Sequence, residues 1–177
     1  MLAANPVGTP LDLNIQLEPN TDGTNGNRSD SSAHLLGKWQ WVANTTRPDI
    51  AYAVNKLATY TANPPLQHVT TLKQILWYLA GTKNFGITYQ INPNNNNSIN
   101  DSSNLFYGYA NAAYANANKL KSTSGYVFLA SGGAITWKSE KQAIRALSST
   151  EAEYIAISKA GHEIWWIQTL FQEIGYP

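Results

Sequence analysis

The chain has 177 residues, 43% hydrophobic and 13% charged, with a formal net charge of +1 and no cysteine. The missing cysteines exclude disulfides, a thiolate zinc site and a cysteine nucleophile. No run approaches the roughly 18 apolar residues of a membrane span, and no basic, apolar leader opens the chain, so the sequence reads as intracellular and soluble, in nucleus or cytoplasm.

Residues 1–33 are rich in Pro, Gly, Asn, Ser and Thr, a composition that offsets little ordering entropy and predicts a mobile arm. Within it Leu11, Leu13, Ile15 and Leu17 alternate as a short edge strand would. Helical spacing follows at Leu35, Leu36, Trp39 and Val42, behind candidate caps Asp30 and Ser31. A second helix starts after Arg47 with Pro48 in its first turn, carries Ile50, Val54, Leu57 and Tyr60, and stops at Pro64 and Pro65. A third stripe, Val69, Leu72, Ile75, Leu76 and Leu79, ends at Gly81. These helices occupy 34–82.

Phe85, Ile87 and Tyr89 alternate as a strand, and an Asn-rich loop, 92–104, opens a second region, 83–177. Strands are expected at 105–110, 125–130 and 134–138, with Gly132 and Gly133 as a hairpin turn, and a short one at 144–147. Ser148 and Glu151 then form a capping box for one long helix, whose apolar stripe is Ile157, Ala160, Ile164, Ile167, Phe171 and Ile174. The fold class is mixed α/β.

His34, His68 and His162 lie in different elements without metal-ligand spacing, so surface or capping positions account for them. No phosphate-binding glycine loop and no serine elbow occurs. Glu153 lies four residues before Ile157 and seven before Ala160, which turns it toward the sheet, while Glu151 lies about 200° away around the helix. An inward carboxylate at a sheet end suits a metal-dependent nuclease, but two divalent ions need three or four carboxylates, and 103–138 contains none. Between 111 and 145, Lys119, Lys121, Lys138, Lys141 and Arg145 face only Glu140, a basic excess suited to a phosphate backbone, with Trp137 and Tyr126 available for stacking; a solvated hairpin with alternating lysines is the plainer account.

TRPDIAYAVNKL (46–57), the segment from His68 through YLAGT to Thr82, KSTSGYVFLASGGAITWKSEKQ (121–142) and ALSSTEAEYIAIS (146–158) together resemble the Pol polyprotein of copia-type retrotransposons, and NPVGTPLD (5–12) resembles the segment before those helices. The resemblance implies a helical thumb or connection segment of reverse transcriptase followed by a truncated ribonuclease H-like domain: a three-stranded antiparallel sheet plus a long helix. It implies an ancestral role in RNA-directed DNA synthesis and in magnesium-dependent cleavage of RNA in RNA–DNA hybrids, with Glu153 as a metal ligand.

Against that pattern, Asn111 and Ala113 stand where the family has aspartates, and an amide and a methyl cannot replace two charged ligands. The chain ends at Pro177 before the segments that supply the remaining ligands, and the polymerase aspartates would precede residue 1. Gln74, Trp77 and Ala80 occupy thumb positions that are basic in the family. The resemblance therefore implies a catalytically inactive polyprotein fragment with no cofactor, a weak RNA–DNA hybrid or other nucleic-acid partner, no membrane contact, and self-association through an exposed sheet edge and the final helix. The alternatives are a nucleic-acid-binding or protein-interaction module without catalysis, and a residual nuclease pairing Glu153 with Asp101 or Glu151.

Overall fold

The structure is a computed structural model, and it describes residues 5–12, 15, 17, 30–61, 64, 67–89, 106–115 and 121–175. Contacts divide the chain into two compact units, 1–88 and 89–177.

The first unit is helical. Its elements are α1 (Asp30–Thr45), α2 (Ala51–Ala58), entered through a single 3₁₀ turn at Pro48–Ile50, and α3 (His68–Gly81). Pro48 fits that turn because its fixed φ is already helical and a first-turn N–H needs no partner. The side chains of Asp30 and Ser31 lie outside those described. Leu36 and Ala43 from α1, Ile50, Val54 and Leu57, and Leu72, Ile75 and Tyr78 from α3 share one core. On α3 the buried face is rotated from the apolar stripe: Val69 and Leu76 are exposed, while His68 and Thr71 are inside. Both polar groups are usable there because Thr71 Oγ1 donates to the Gln67 carbonyl, and His68 Nε2 lies 3.2 Å from the Leu57 carbonyl at the end of α2.

Among the described residues Leu11, Ile15 and Leu17 are not in the edge strand expected there; Leu13 lies outside the described residues. Leu11 and Leu17 are instead buried in the helical core, with Val7 and Ile15 packed against it. The segment is fastened along α3, where Gln74 Nε2 donates to the Thr9 carbonyl and Pro6 lies over Gly81. The helix ends at Gly81 as expected, and that contact adds a reason for the glycine. It is the last residue of α3, and a Cβ there would lie 2.7 Å from Pro6 Cβ, so close approach selects glycine. Phe85, Ile87 and Tyr89 form no strand.

The TRPD motif closes the first unit. Arg47, 8% exposed, donates Nε to Asp49 Oδ1 (2.9 Å), Nη2 to Asp49 Oδ2 (2.7 Å) and to Thr82 Oγ1 (2.6 Å), and Nη1 to the Thr82 carbonyl (3.0 Å). Tyr78 Oη donates to Asp49 Oδ2 (2.8 Å), and the guanidinium lies 5.6 Å from the Tyr78 ring centre. The entry to α2 is thereby bolted to the exit of α3.

The second unit is a three-stranded antiparallel sheet in the order β1 (Tyr107–Ala113), β2 (Thr123–Ala130), β3 (Gly133–Lys141), covered by α4 (Ser149–Glu173). This is the three-stranded antiparallel sheet and long helix expected from the sequence. The hairpin turn is Ser131-Gly132, not Gly132-Gly133: both have positive φ (50° and 76°), as a two-residue turn matched to strand twist requires, and Gly133 opens β3. A bulge at Ile135 shifts the β2–β3 register. The fourth strand expected at 144–147 is an irregular connector. On α4 the buried residues are Ala152, Ala156, Ala160 and Ile167; of the expected stripe Ala160, Ile164, Ile167 and Phe171 join the core of this unit, whereas Ile157, and Ile174 just past the helix, are exposed.

Arg47→Ala removes a buried guanidinium with its hydrogen bonds to Asp49 and Thr82, and should destabilise the helical unit by about 2 kcal/mol in chemical denaturation. Burial works to raise the Asp49 pKa, but hydrogen bonds from Arg47 and Tyr78 outweigh it and hold the carboxyl below its usual range. The sign follows: this contribution is complete above the unfolded-state value of about 4 and is lost as pH falls through the lower folded value. Acid unfolding of the Asp49→Asn variant should lack that component.

Candidate functional site

Glu153, Asn111 and Ala113 lie at one end of the sheet, where β1 ends, β2 begins, β3 ends and α4 starts. Ser148 caps α4, its Oγ accepting from the Glu151 N–H at 3.0 Å. Glu151 Oε2 in turn accepts from the Leu147 N–H at 2.7 Å, so this carboxylate is spent on the helix start. The fold of this corner depends on Gln142, a residue the sequence reading passed over. It is 1% exposed; its N–H donates to the Ser122 carbonyl, and its Nε2 donates to Ser124 Oγ on β2 and to the Ala152 carbonyl on α4, both at 2.9 Å. One amide joins the sheet to the first turn of the helix.

One residue further on, Glu153 is aimed at β1. Its Oε2 accepts the backbone N–H of Ala112 at 3.0 Å, and Asn111 Oδ1 lies 2.7 Å from the same nitrogen. Helical periodicity had turned Glu153 inward, and the structure places it against the positions of Asn111 and Ala113. Ala113 brings only a methyl group. The donor set around a divalent cation here would be one carboxylate already accepting a backbone hydrogen bond, one neutral amide oxygen and no second charge, which does not fit a two-metal centre. Among the described residues no group of three or more His, Cys, Asp or Glu could hold a metal ion. Asp101 lies outside the described residues.

Two further charged clusters hold α4 to the sheet. Glu140 on β3 accepts from Lys138 (3.0 Å) and from Lys159 of α4. Glu163 accepts a hydrogen bond from the Tyr126 hydroxyl at Oε2 (3.0 Å) and from that of Thr136 at Oε1 (2.6 Å). Burial, then the neighbouring Glu163 carboxylate, pushes the Tyr126 phenol above its ordinary value. Burial would raise Glu140, but Lys159 and Lys138 hold it below the usual carboxylate range. Glu163 could have been found from spacing, since it falls between Ala160 and Ile167 on the sheet-facing side.

The basic residues do not form one face. Lys121, whose Nζ donates to the Ala143 carbonyl, Lys141, which pairs across the ladder with Thr123, and Arg145, exposed in the connector, lie at the Glu153 end. Lys138 is registered with Tyr126, on the side covered by α4, and is ion-paired with Glu140. Lys119 lies outside the described residues. Tyr126 is not available for stacking, because its ring packs 5.6 Å from Phe128 and its hydroxyl is held by Glu163. Trp137 is half-buried on β3.

If Glu153 is a fastening for β1, Glu153→Ala should raise amide hydrogen exchange at Ala112 by about tenfold, the equivalent of one charge-assisted hydrogen bond, with β2 amides unchanged. Tyr126→Phe should cost about 2 kcal/mol of stability near neutral pH. The wild type should lose this contribution as pH rises beyond about 10, the unfolded tyrosine value, toward the higher folded one.

No protein-family profile matches the chain, and no solved structure does. Curated relatives do. The chain is 37% identical over 183 aligned positions, 99% of its own length and 13% of the relative's, to the retrovirus-related Pol polyprotein from transposon TNT 1-94 of Nicotiana tabacum. It is 36% identical, again over 99% of its length and 11% of the relative's, to the Pol polyprotein from transposon RE1 of Arabidopsis thaliana. A shorter relative, the Secreted RxLR effector protein 161 of Plasmopara viticola, is 35% identical over 75% of this chain and 87% of its own. The chain spans about an eighth of the length of the two polyproteins, and with matches of this extent it belongs to the Pol polyproteins of copia-type transposons, corresponding to one segment of them.

Proposed function

We propose that this chain is a reverse transcriptase/ribonuclease H segment of a copia-type Pol polyprotein in which hydrolysis has been lost and weak nucleic-acid contact retained. The observation that carries the reading is the Glu153 corner, where the carboxylate that would ligate a metal accepts a backbone N–H and Asn111 and Ala113 supply no charge beside it. Lys121, Lys141 and Arg145, at the same end of the sheet, provide three cations for a phosphate backbone. No cofactor is required in this reading.

A second reading is a module without catalysis that acts through protein contacts, and the relative from Plasmopara viticola bears on whether such a segment can stand alone. Nearly all of that protein aligns with this segment, so a chain of this extent exists outside a long polyprotein.

The test is fluorescence anisotropy of a labelled RNA–DNA hybrid with magnesium present, together with a gel assay for cleavage. Binding should be micromolar at low salt, with log K falling against log salt at a slope of about −2 to −3 for three phosphate contacts, and flattening when Lys121, Lys141 and Arg145 are changed to Ala. No cleavage should be seen. Magnesium-dependent cleavage abolished by Glu153→Gln would overturn the loss of hydrolysis, and absence of binding at low salt would leave only the protein-contact reading.

A further inference from the structure

The two faces of the sheet differ in kind. Tyr126 and Thr136 meet Glu163 of α4, so by alternation and register the opposite face carries Tyr107 and Tyr109 of β1, Val127 of β2, and Trp137 and Lys141 of β3. Ser124 and Phe128 on the α4 side are buried, whereas no outward position is: Tyr107 is 37% and Tyr109 65% exposed, and Val127 and Trp137 are half-buried. The three strands contain a single carboxylate, Glu140, and it is turned to Lys159 of α4. The outward face therefore bears aromatic rings, neutral polar groups and a cation, and no negative charge.

Register sets these groups in rows. Tyr109 lies opposite Val127, which lies opposite Trp137, so the two aromatic residues flank an aliphatic one across two strand spacings, about 10 Å, far enough apart for each to take its own base. Tyr107 abuts Tyr109 edge to face, with centroids 5.9 Å apart and planes at 90°, which positions both rings before anything binds. The next row is Asn111, Gly125 and Ser139. Glycine weakens the interior of a strand and often marks a close approach, yet a Cβ at 125 would meet only the Lys138 carbonyl, at 3.7 Å. The packing of this unit does not call for that glycine. The last row ends at Lys141, opposite Thr123, at the end of the sheet that also holds Lys121 and Arg145.

We infer that the outward face of the sheet binds a single-stranded nucleic acid, with unpaired bases stacked on Tyr109 and Trp137 and phosphates drawn to Lys141, Lys121 and Arg145. Every base has a π-face, but a duplex keeps its bases stacked on one another, so exposed rings on a sheet suit a single strand. A polypeptide strand would add to a free edge of the sheet rather than to its face. An apolar surface laid on this face would bury Asn111, Ser139 and Lys141 without partners. A polyanion with flat faces answers both the rings and the cations. The inference rests on the nucleic-acid reading, from which it takes the three cations, and names the strand state they serve.

Fluorescence anisotropy on the full 177-residue chain at low salt tests it, with labelled oligo-dT and oligo-U of about a dozen nucleotides beside a blunt RNA–DNA hybrid of the same length. Both single strands should bind. Tyr109→Thr, which removes the ring and keeps a good strand former, should weaken them about tenfold, as should Trp137→Thr, while Tyr109→Phe should stay within about twofold of the wild type. Hybrid affinity should be unchanged by Tyr109→Thr and should fall with Lys141→Ala. Gly125→Val separates binding from fold: it fills the gap with a better strand former, so single strands should bind more weakly while the thermal midpoint equals or exceeds that of the wild type. Single strands that bind Tyr109→Thr and Trp137→Thr as well as the wild type, or a hybrid loosened as much as they are by loss of the Tyr109 ring, would overturn the inference. Hybrid binding without single-strand binding would overturn it and leave the hybrid reading standing, whereas ring-dependent binding of single strands without hybrid binding would uphold it and contradict only the hybrid reading.

Discussion

The second unit depends on polar groups of α4 meeting the sheet, not on an apolar stripe alone. Ala152, Ala156 and Ala160 bring the helix backbone close to the strands, and at that distance Glu153 reaches the Ala112 N–H, Lys159 reaches Glu140, and Glu163 reaches Tyr126 and Thr136. Small residues make the approach possible, and charge-assisted hydrogen bonds give it direction. Phe128, Ile167 and their neighbours supply the apolar remainder at the other end of the helix.

In the first unit an analogous part is played by Arg47. Its guanidinium, shared between Asp49 and Thr82, ties together residues that are 35 positions apart in the chain, and Tyr78 completes the set. The motif that marks the family in sequence is thus a structural clamp. The buried aliphatic residues of three helices give the unit its core, but they do not by themselves specify how the entry to α2 meets the exit of α3.

The helices were legible because their signals are local: Pro48 in a first turn, Ser148 and Glu151 as a cap, and apolar residues at 3/4 spacing. The three strands were legible from alternation, with ends moved by at most three residues. What was missed depends on contacts that spacing cannot show. Glu163 is seen to meet two hydroxyl donors only when α4 lies on the sheet, Gln142 is recognisable as a joint only once β2 and α4 are side by side, and the role of Gly81 requires Pro6 above it. Leu11 and Leu17 resembled a strand because they alternate, yet they find a helical core and no neighbouring strand. At the site, periodicity turned Glu153 inward and the family pattern paired it with Asn111 and Ala113; that its oxygen accepts a backbone hydrogen bond is information only the fold contains.

The central claim is that the Glu153 corner is a fastening and no longer a metal centre, and calorimetric titration with manganese or magnesium tests it most directly. The account predicts no binding to the wild type at millimolar metal, and recovered binding when Asn111→Asp and Ala113→Asp return two carboxylates beside Glu153. Saturable binding to the wild type that disappears in Glu153→Gln would contradict it.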